Sequence, residues 1–369
     1  MIVERRLSVH LDWPLIAAIL ALTFIGLMTI LSVTWDIRPG HNEPGREFWT
    51  QLYALPVGLV AMFACLIIDY RTLTQRSLIL FGLFVAALVA VSIIGDVRMG
   101  ARRWIALPGF SLQPSEFGRI VLALVLAGIY GEGRRGARTL WDLAIGGVVL
   151  AIPVLLILQQ PDLGTAATLI PVYLGVVFIN GLRLKWLAIA AVIAALMSPL
   201  VWAYVLEDYQ KERIETFIDP SKDARGKGLQ QIQAKVTVGS GGLVGKGFRE
   251  GTQGGYGFLP VAHNDFVYSV WAEEHGFLGV LVALGLYLFV LMRSFDAAKL
   301  AKDRVGACLV VGILSGFAFQ VVYNITMSAG LAPVKGLTLP LMSYGGSSLV
   351  STLAAFGLIL NVRMRRFTN

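Results

Sequence analysis

Residues 13–33, WPLIAAILALTFIGLMTILSV, form an uninterrupted apolar run near the start of the chain. About 20 such residues in a helix are enough to cross the hydrocarbon core of a bilayer. The apolar core of this run is longer than that of a signal peptide, so we expect it to remain in the protein as an anchor. The run therefore predicts a transmembrane helix, and similar runs recur along the chain.

The composition of the whole chain agrees with a membrane protein. Of its 369 residues, 56% are apolar and only 15% are charged, and the mean hydropathy is +0.71. Soluble domains average about 25% charged residues, so this chain has too few charges to cover a soluble surface. This excludes a soluble enzyme, a disordered chain and a fibrous protein. Cys65 and Cys308 both lie in apolar runs and suggest no disulfide framework.

The apolar runs predict an all-α polytopic membrane protein that forms a single membrane domain over residues 1–369. We expect about ten transmembrane helices, at residues 13–33, 49–69, 77–95, 114–130, 143–159, 164–181, 186–205, 267–292, 306–328 and 346–362. The least regular part is 143–205, where Pro153 and the basic turn at Arg183 shorten the runs. One of its three pieces could be re-entrant instead, which would reverse the orientation of everything after it.

The positive charges predict the orientation of these spans. With a cytoplasmic N-terminus, the inside segments carry 16 Lys and Arg residues and the short outside segments carry six. This bias predicts that both termini are cytoplasmic. It also explains the net charge of +8 without nucleic acid, because no nucleic-acid-binding motif accompanies the charges.

The same orientation places one large loop, residues 206–266, outside the membrane between spans seven and eight. Within it, the spacing of Tyr209, Arg213, Ile214 and Phe217 predicts a helix with one apolar face, suited to the membrane surface. A glycine-rich tract follows at 239–258.

Charged residues at membrane depth are costly and usually mark functional sites. Arg102 and Arg103 lie on the predicted outer side, against the positive-inside trend, and Glu116 and Arg119 lie at the start of span four. One interpretation is structural: Glu116 stabilises the helix N-terminus and pairs with Arg119 one turn later. The other is a polar cavity that opens to the outside and takes an anionic ligand, and the two outer arginines favour it.

Two aspartates precede predicted spans, Asp162 before span six and Asp265 before span eight. For each, helix N-capping is the structural interpretation and a role in a site is the functional one. About two turns beyond Asp265, the adjacent Glu273 and Glu274 predict an internal polar network.

The predicted outer face thus combines the carboxylate of Asp265 with several cations, including Lys246 in the glycine-rich tract. A carboxylate can take the proton of an attacking hydroxyl as a general base. Arginine and lysine can stabilise a departing diphosphate. Because these residues lie near the lipid interface, the substrate is expected to be membrane-borne.

Taken in order, these segments resemble the SEDS family (shape, elongation, division and sporulation) over nearly the whole chain. The resemblance is carried by residues 100–104, 113–116, 160–164, 210–220, 240–247, 258–266, 272–276 and 339–348. Each segment is a weak signal alone, whereas all of them in this order are highly specific. The short termini and the Asp12-Trp13 opening resemble the rod-elongation branch more than the division branch. One departure is Arg119, where the family commonly has Lys.

The resemblance implies a peptidoglycan glycosyltransferase that polymerises lipid II on the outer face of the bacterial cytoplasmic (inner) membrane. It implies Asp265 as the catalytic base of an inverting reaction that releases polyprenyl diphosphate, and a class B penicillin-binding protein, a transpeptidase, as partner. The residues expected to bind the lipid-linked substrates are Arg102, Arg103, Glu116, Arg119, Asp162, Arg213 and Lys246.

Three alternatives stay open at this point. A divalent cation, Mg²⁺ or Mn²⁺, could assist the diphosphate, although the sequence contains no dedicated ligand cage for a metal. The buried charges would also suit a transporter that flips the lipid-linked precursor. A non-catalytic scaffold that only organises a transpeptidase is the third alternative.

Overall fold

The computed structural model describes residues 11–35, 43–98, 101–107, 110–132, 139–205, 208–219, 223, 226–255 and 258–367. Its described part is mostly helical. In chain order the helices are α1 Trp13–Thr34, α2 Arg46–Ile67, α3 Tyr70–Gln75, α4 Ser77–Ile94, α5 Gly118–Gly131, α6 Leu140–Gln159, α7 Leu163–Ile179, α8 Leu184–Leu200, α9 Asp208–Ile218, α10 Lys227–Ser240, α11 Thr252–Gly255, α12 Val267–Lys299, α13 Arg304–Ser328 and α14 Gly346–Met364.

All ten segments predicted as spans contain a helix. Within the described ranges, eight helices are long and apolar enough to cross a membrane, namely α1, α2, α4, α5 with the preceding 3-10 turn Pro114–Phe117, α6, α12, α13 and α14. Helix α7 and the end of α8 are apolar but shorter. The apolar runs therefore located the helices correctly, including the three short pieces in 143–205.

Three antiparallel strands between α4 and α5 depart from the all-helical prediction. They are β1 Asp96–Arg98, β2 Ala101–Leu107 and β3 Phe110–Leu112, in the spatial order β1-β2-β3. Two of these strands have three residues, and such short strands give no periodicity that distinguishes them from a loop. The sheet leads directly into the turn before α5 and carries Arg103 on its central strand.

Helix α14 lies at the centre of the bundle and is buried along its whole length. It packs against α2 through small residues. A Cβ atom added to Gly357 would meet the backbone carbonyl of Met62, and one added to Gly58 would lie 2.5 Å from Leu353 Cδ1. Helix packing in membranes relies on such close approach of backbones, so these glycines hold the two helices together.

Helix α12 is broken at Gly276, whose φ of 62° and ψ of −162° are not helical. Residues 241–247 fill the break. The backbone N–H groups of Lys246 and Gly247 donate to the carbonyls of Glu273 and Glu274, both at 3.0 Å. The N–H of Phe277 donates in turn to residue 242 at 2.9 Å. Backbone groups freed at membrane depth need such partners, so the glycine-rich tract completes the broken helix.

The loop at 206–266 is more helical than expected. Helix α9 confirms the helix predicted at 209–217, whereas α10 and the short α11 were not predicted. Helix α10 contains Gly228 and Gly239 and four β-branched residues, which lowered its predicted helix propensity.

A cluster of charges joins the start of α1 to the ends of α12 and α14. The Asp12 carboxylate is fully buried, 2.5 Å from the Arg363 guanidinium and 3.0 Å from that of Arg293. It also accepts the backbone N–H of Leu15 and caps α1. This Asp12 cluster fixes three helix ends at one side of the bundle.

Candidate functional site

Asp162, at the start of α7, is the centre of the first part of the site. Its Oδ1 accepts the backbone N–H of Thr165 at 3.0 Å, which confirms the N-cap interpretation. Its Oδ2 accepts the side-chain amide of Gln113 at 3.0 Å. Arg103 lies 3.8 Å from the same carboxylate and donates to the carbonyls of residues 160–161 at 2.7 and 2.6 Å. The cap therefore also anchors the sheet to α7.

Arg119 is the buried cation of the site, with 6% of its surface exposed. Its guanidinium lies 3.8 Å from the Glu116 carboxylate, as the i,i+3 interpretation predicted. It donates at 2.5 Å to Gln320 Oε1 and at 3.4 Å to Thr352 Oγ1. A cavity beside Arg119 has mostly apolar walls. The shortest of these contacts is to a neutral amide, so the positive charge is only partly compensated.

Residues 333–340 form an extended segment that is exposed at Gly336 and buried at Leu337, Leu339 and Pro340. Its carbonyls accept hydrogen bonds from four buried or half-buried side chains, namely Tyr287, Gln320, Tyr323 and Asn324. A Cβ atom added to Gly164 would lie 3.1 Å from the carbonyl oxygen of Lys335. The segment therefore lies against the start of α7, next to Asp162.

Asp265 also lies near this segment. A Cβ atom added to Gly336, which has a φ of 65°, would be 3.5 Å from Asp265 Oδ2. The N-cap interpretation of Asp265 is wrong, because the N-cap residue of α12 is Phe266 and no side chain caps this helix. Its carboxylate therefore does not cap α12 and lies near Gly336, a position with a positive φ that glycine adopts most easily.

The residues that precede Asp265 are fixed to the loop before α14. The backbone N–H of Tyr344 donates to the carbonyl of His263 at 3.0 Å, and the two rings meet edge to face. Gln51 holds the ends of this loop, since its amide bonds the carbonyl of Ser343 and the N–H of Gly345. Burial lowers the pKa of His263, so its ring is neutral near neutral pH.

The predicted polar network at Glu273 and Glu274 is confirmed. The fully buried Glu273 lies 2.6 Å from Lys246 Nζ and accepts backbone N–H groups of residues 252–254. Glu274 accepts from Ser32 Oγ and from the N–H of Arg249. Lys246 therefore compensates a buried carboxylate and ties the glycine-rich tract to α12.

The structure brings together some of the predicted site residues and separates others. Arg103, Glu116, Arg119 and Asp162 surround the start of α5 and α7, and the 333–340 segment links them to Asp265. The exposed Arg102 instead donates to the carbonyl of residue 93 at 3.0 Å. Lys246 belongs to the Glu273 network, and Arg213 lies on α9 with its side chain outside the described residues. Substrate binding by all seven of these residues stays a prediction.

Sequence reasoning missed the amides that hold the site, above all Gln113, Gln320 and Asn324. Gln320 and Asn324 are spaced i,i+4 within an apolar span, and both are buried. Uncharged polar residues on one face of a membrane helix usually mark contacts with other polar groups. That spacing was the available signal.

The next feature is the lack of an evident metal-binding site among the described residues. No group of three or more His, Cys, Asp or Glu residues in the part of the chain that the structure describes is arranged to hold a metal ion. His275, near Glu273, stacks on Trp271 with 3.7 Å between ring centroids. Assistance of the diphosphate by Mg²⁺ or Mn²⁺ stays a prediction.

Comparison with known proteins gives consistent matches over the whole chain. The family model of the cell cycle proteins FtsW, RodA and SpoVE matches residues 12–367. Peptidoglycan glycosyltransferase MrdB of Escherichia coli K12 is 34% identical over 360 residues, which cover 97% of this chain and 95% of that protein. Probable peptidoglycan glycosyltransferase FtsW of Trichlorobacter lovleyi is 38% identical and covers 95% of this chain and 92% of its own length.

Solved structures match as well. The rod shape determining protein RodA of Thermus thermophilus is 30% identical, with a TM-score of 0.71 over 97% of this chain and 98% of that one. A chain of a peptidoglycan synthase complex, described as coordinating polymerization and crosslinking, is 34% identical. Its TM-score is 0.83, over 97% of this chain and 99% of that one.

Proposed function

The chain belongs to the FtsW, RodA and SpoVE family of cell cycle proteins, and from this premise we propose that it polymerises lipid II with Asp265 as general base. It is a peptidoglycan glycosyltransferase and a multi-pass protein of the bacterial inner membrane, like its relatives. The observation that carries the catalytic proposal is the closeness of Gly336 to the Asp265 carboxylate, since a Cβ atom added to this glycine would lie 3.5 Å from Asp265 Oδ2. The same extended segment lies against Gly164, two residues after Asp162.

The proposed reaction follows from these two parts of the site. Asp265 takes the proton from the 4-hydroxyl of the acceptor sugar. The oxygen attacks the anomeric carbon of a polyprenyl-diphosphate-linked glycan as the bond to the diphosphate breaks, and the configuration inverts. The proton ends on Asp265, and the electron pair leaves with polyprenyl diphosphate.

Arg119 and Arg103 are the cations that we expect to stabilise the departing diphosphate. Each is 3.8 Å from a carboxylate and makes its shorter contacts to neutral groups, so each keeps part of its attraction for an anion. Glu116 and Asp162 hold the two guanidiniums in place. The exposed Arg102 and the loop cations Lys246 and Arg213 are proposed to act in first contact with the lipid headgroup.

We propose ten spans with both termini cytoplasmic, which places residues 206–266 and Asp265 outside. Eight helices meet the length and hydropathy of a span, and the charge bias supports the orientation. The Asp12 cluster would then lie at the cytoplasmic side and the site at the outer side.

The proposed partner is a class B penicillin-binding protein, which would crosslink the glycan strands. The support is the similarity to a chain of a peptidoglycan synthase complex that couples polymerization to crosslinking. The Asp12-Trp13 opening and the similarity to MrdB and RodA favour a role in cell elongation.

The test is polymer formation from fluorescent lipid II in liposomes that contain the protein with its cognate transpeptidase. Asp265→Asn keeps the shape of the side chain and removes the base, so we expect turnover to fall about 10³-fold or more with unchanged thermal stability. Glu250→Gln, which makes the same change at an exposed position of the same loop, should polymerise normally.

Three outcomes would overturn parts of this proposal. Normal turnover by a folded Asp265→Asn protein would remove the general-base role. Lipid scrambling without polymer by the wild type would identify a flippase. If the wild type neither polymerises nor scrambles lipid II but still forms a stable complex with the transpeptidase, the protein is a non-catalytic scaffold.

A further inference from the structure

Asn324, in α13, makes two hydrogen bonds that join the two parts of the site. Its side chain is fully buried. The Nδ2 group donates at 2.9 Å to the backbone carbonyl of Asp265 and at 2.6 Å to that of Leu337. An amide nitrogen carries two hydrogens, so both are used to hold these two carbonyls.

The two carbonyls belong to segments that are far apart in sequence and adjacent at the carboxylate. Leu337 directly follows Gly336, whose added Cβ atom would lie 3.5 Å from Asp265 Oδ2. The two Asn324 bonds thus hold the backbone of Asp265 and the backbone next to Gly336 from one side chain. Displacing either carbonyl would change the distance between the carboxylate and the backbone against which it lies.

From this geometry we propose that Asn324 is a positioning residue for the glycosyl transfer, acting through Asp265. The inference rests on the proposed role of Asp265 as general base. Asn324 donates to the backbone carbonyl of Asp265, and its proposed function is to set where the carboxylate lies relative to Gly336.

A purely structural role predicts a different result, and Tyr323 offers the comparison. Tyr323 is the neighbouring residue of α13, and its hydroxyl donates at 2.8 Å to the carbonyl of Pro333 in the same extended segment. Its bond supports that segment four residues away from Leu337 and does not involve the Asp265 peptide. Tyr323→Phe therefore removes support from the segment without touching the proposed positioning contact.

The experiment measures kcat, lipid II KM and Tm for Asn324→Leu and Tyr323→Phe in liposomes with the transpeptidase. Asn324→Leu keeps the branching and the number of heavy atoms of the side chain, adds some volume, and removes both donors. We expect its kcat to fall about 100-fold, the effect of a misplacement of roughly 1 Å. The KM should change less than about threefold, because the substrate-binding side chains are unchanged. Tyr323→Phe should lower Tm and keep kcat within about twofold of the wild type.

Asn324→Asp gives a second measurement that disturbs packing less. A protonated carboxyl group has one donor, so it can hold only one of the two carbonyls, and kcat should fall about tenfold. The proposal is overturned if either Asn324 variant folds and has the same kcat as Tyr323→Phe. It is also overturned if the variant raises KM and leaves kcat unchanged.

The double variant Asp265→Asn with Asn324→Leu separates this inference from the proposed function. If Asn324 acts through Asp265, the double variant keeps the residual activity of Asp265→Asn alone, because the second substitution has nothing further to remove. A further loss of kcat would show that Asn324 acts elsewhere. Normal turnover by Asp265→Asn would overturn the base assignment itself, whereas an inactive Asp265→Asn with a fully active Asn324→Leu would overturn the positioning role alone.

Discussion

Two buried charged regions of the molecule are built in different ways. In the Asp12 cluster, one fully buried carboxylate meets two guanidiniums at 2.5 and 3.0 Å. In the site, Glu116 and Arg119 are 3.8 Å apart, and the guanidinium is held mainly by the amide of Gln320. The first region pairs its buried carboxylate directly with two cations, and the second holds its cation mainly with neutral groups.

This difference distinguishes a charged cluster that stabilises the fold from one that can bind an anionic ligand. A directly paired buried charge gains Coulomb energy that offsets its desolvation, and it has little attraction left for a ligand. A charge held by amides and hydroxyls is positioned in advance and keeps its field for a group that arrives later. We therefore interpret the Asp12 cluster as a tie between helix ends and the Arg119 region as part of the catalytic machinery.

The largest effect that would test this comparison is expected from Asp12→Ala. The change leaves Arg293 and Arg363 without the carboxylate between them, so the free energy of unfolding should fall by about 3 kcal/mol. Because the cluster lies away from the site, turnover per folded molecule should stay within about twofold. Thermal unfolding in detergent and polymer formation, normalised to folded protein, measure the two quantities. Unchanged stability with lost turnover would contradict the structural interpretation.

Arg119→Gln should give the opposite pattern and a somewhat smaller effect. It removes the cation and leaves Glu116 in the interior with its charge uncompensated, so we expect turnover at low lipid II concentration to fall about 30-fold. Arg119→Lys keeps the charge but replaces a planar fork by a point charge, and should lose only about threefold. A loss of stability as large as that of Asp12→Ala, without lost turnover, would make both regions structural.

Features set by neighbouring residues could be predicted from the sequence, and features set by distant residues could not. Apolar runs are local, so the helices and the cap at Asp162 were predictable from neighbouring residues. The sheet was missed because its strands are too short for periodicity. The sequence left capping and a role in a site both open for Asp265, because the surroundings of this residue include Gly336, 71 positions further along the chain. The supporting amides of α13 were missed because their partners lie on distant segments.

The smallest expected effect is on the pH dependence of stability, and it comes from His263, two residues before Asp265. Burial lowers its pKa below the ordinary value and Glu47 partly opposes this, so folding favours the neutral ring. Its contribution to stability is complete above about pH 6.5 and is lost as pH falls through the lower pKa of the folded state.

The measurement for His263 compares Tm at pH 7.5 and pH 5.5 in the wild type and in His263→Asn. Since the variant cannot take up the proton, its Tm should fall less on acidification, by a difference below about 2 °C. The Asp12 cluster is remote from His263, so Asp12→Ala should lower Tm at both pH values and leave this difference unchanged. An equal fall in wild type and His263→Asn would show that the ring does not titrate with folding. A difference that disappears in the Asp12→Ala background would instead couple the two ends, and the two charged regions could then no longer be treated as independent.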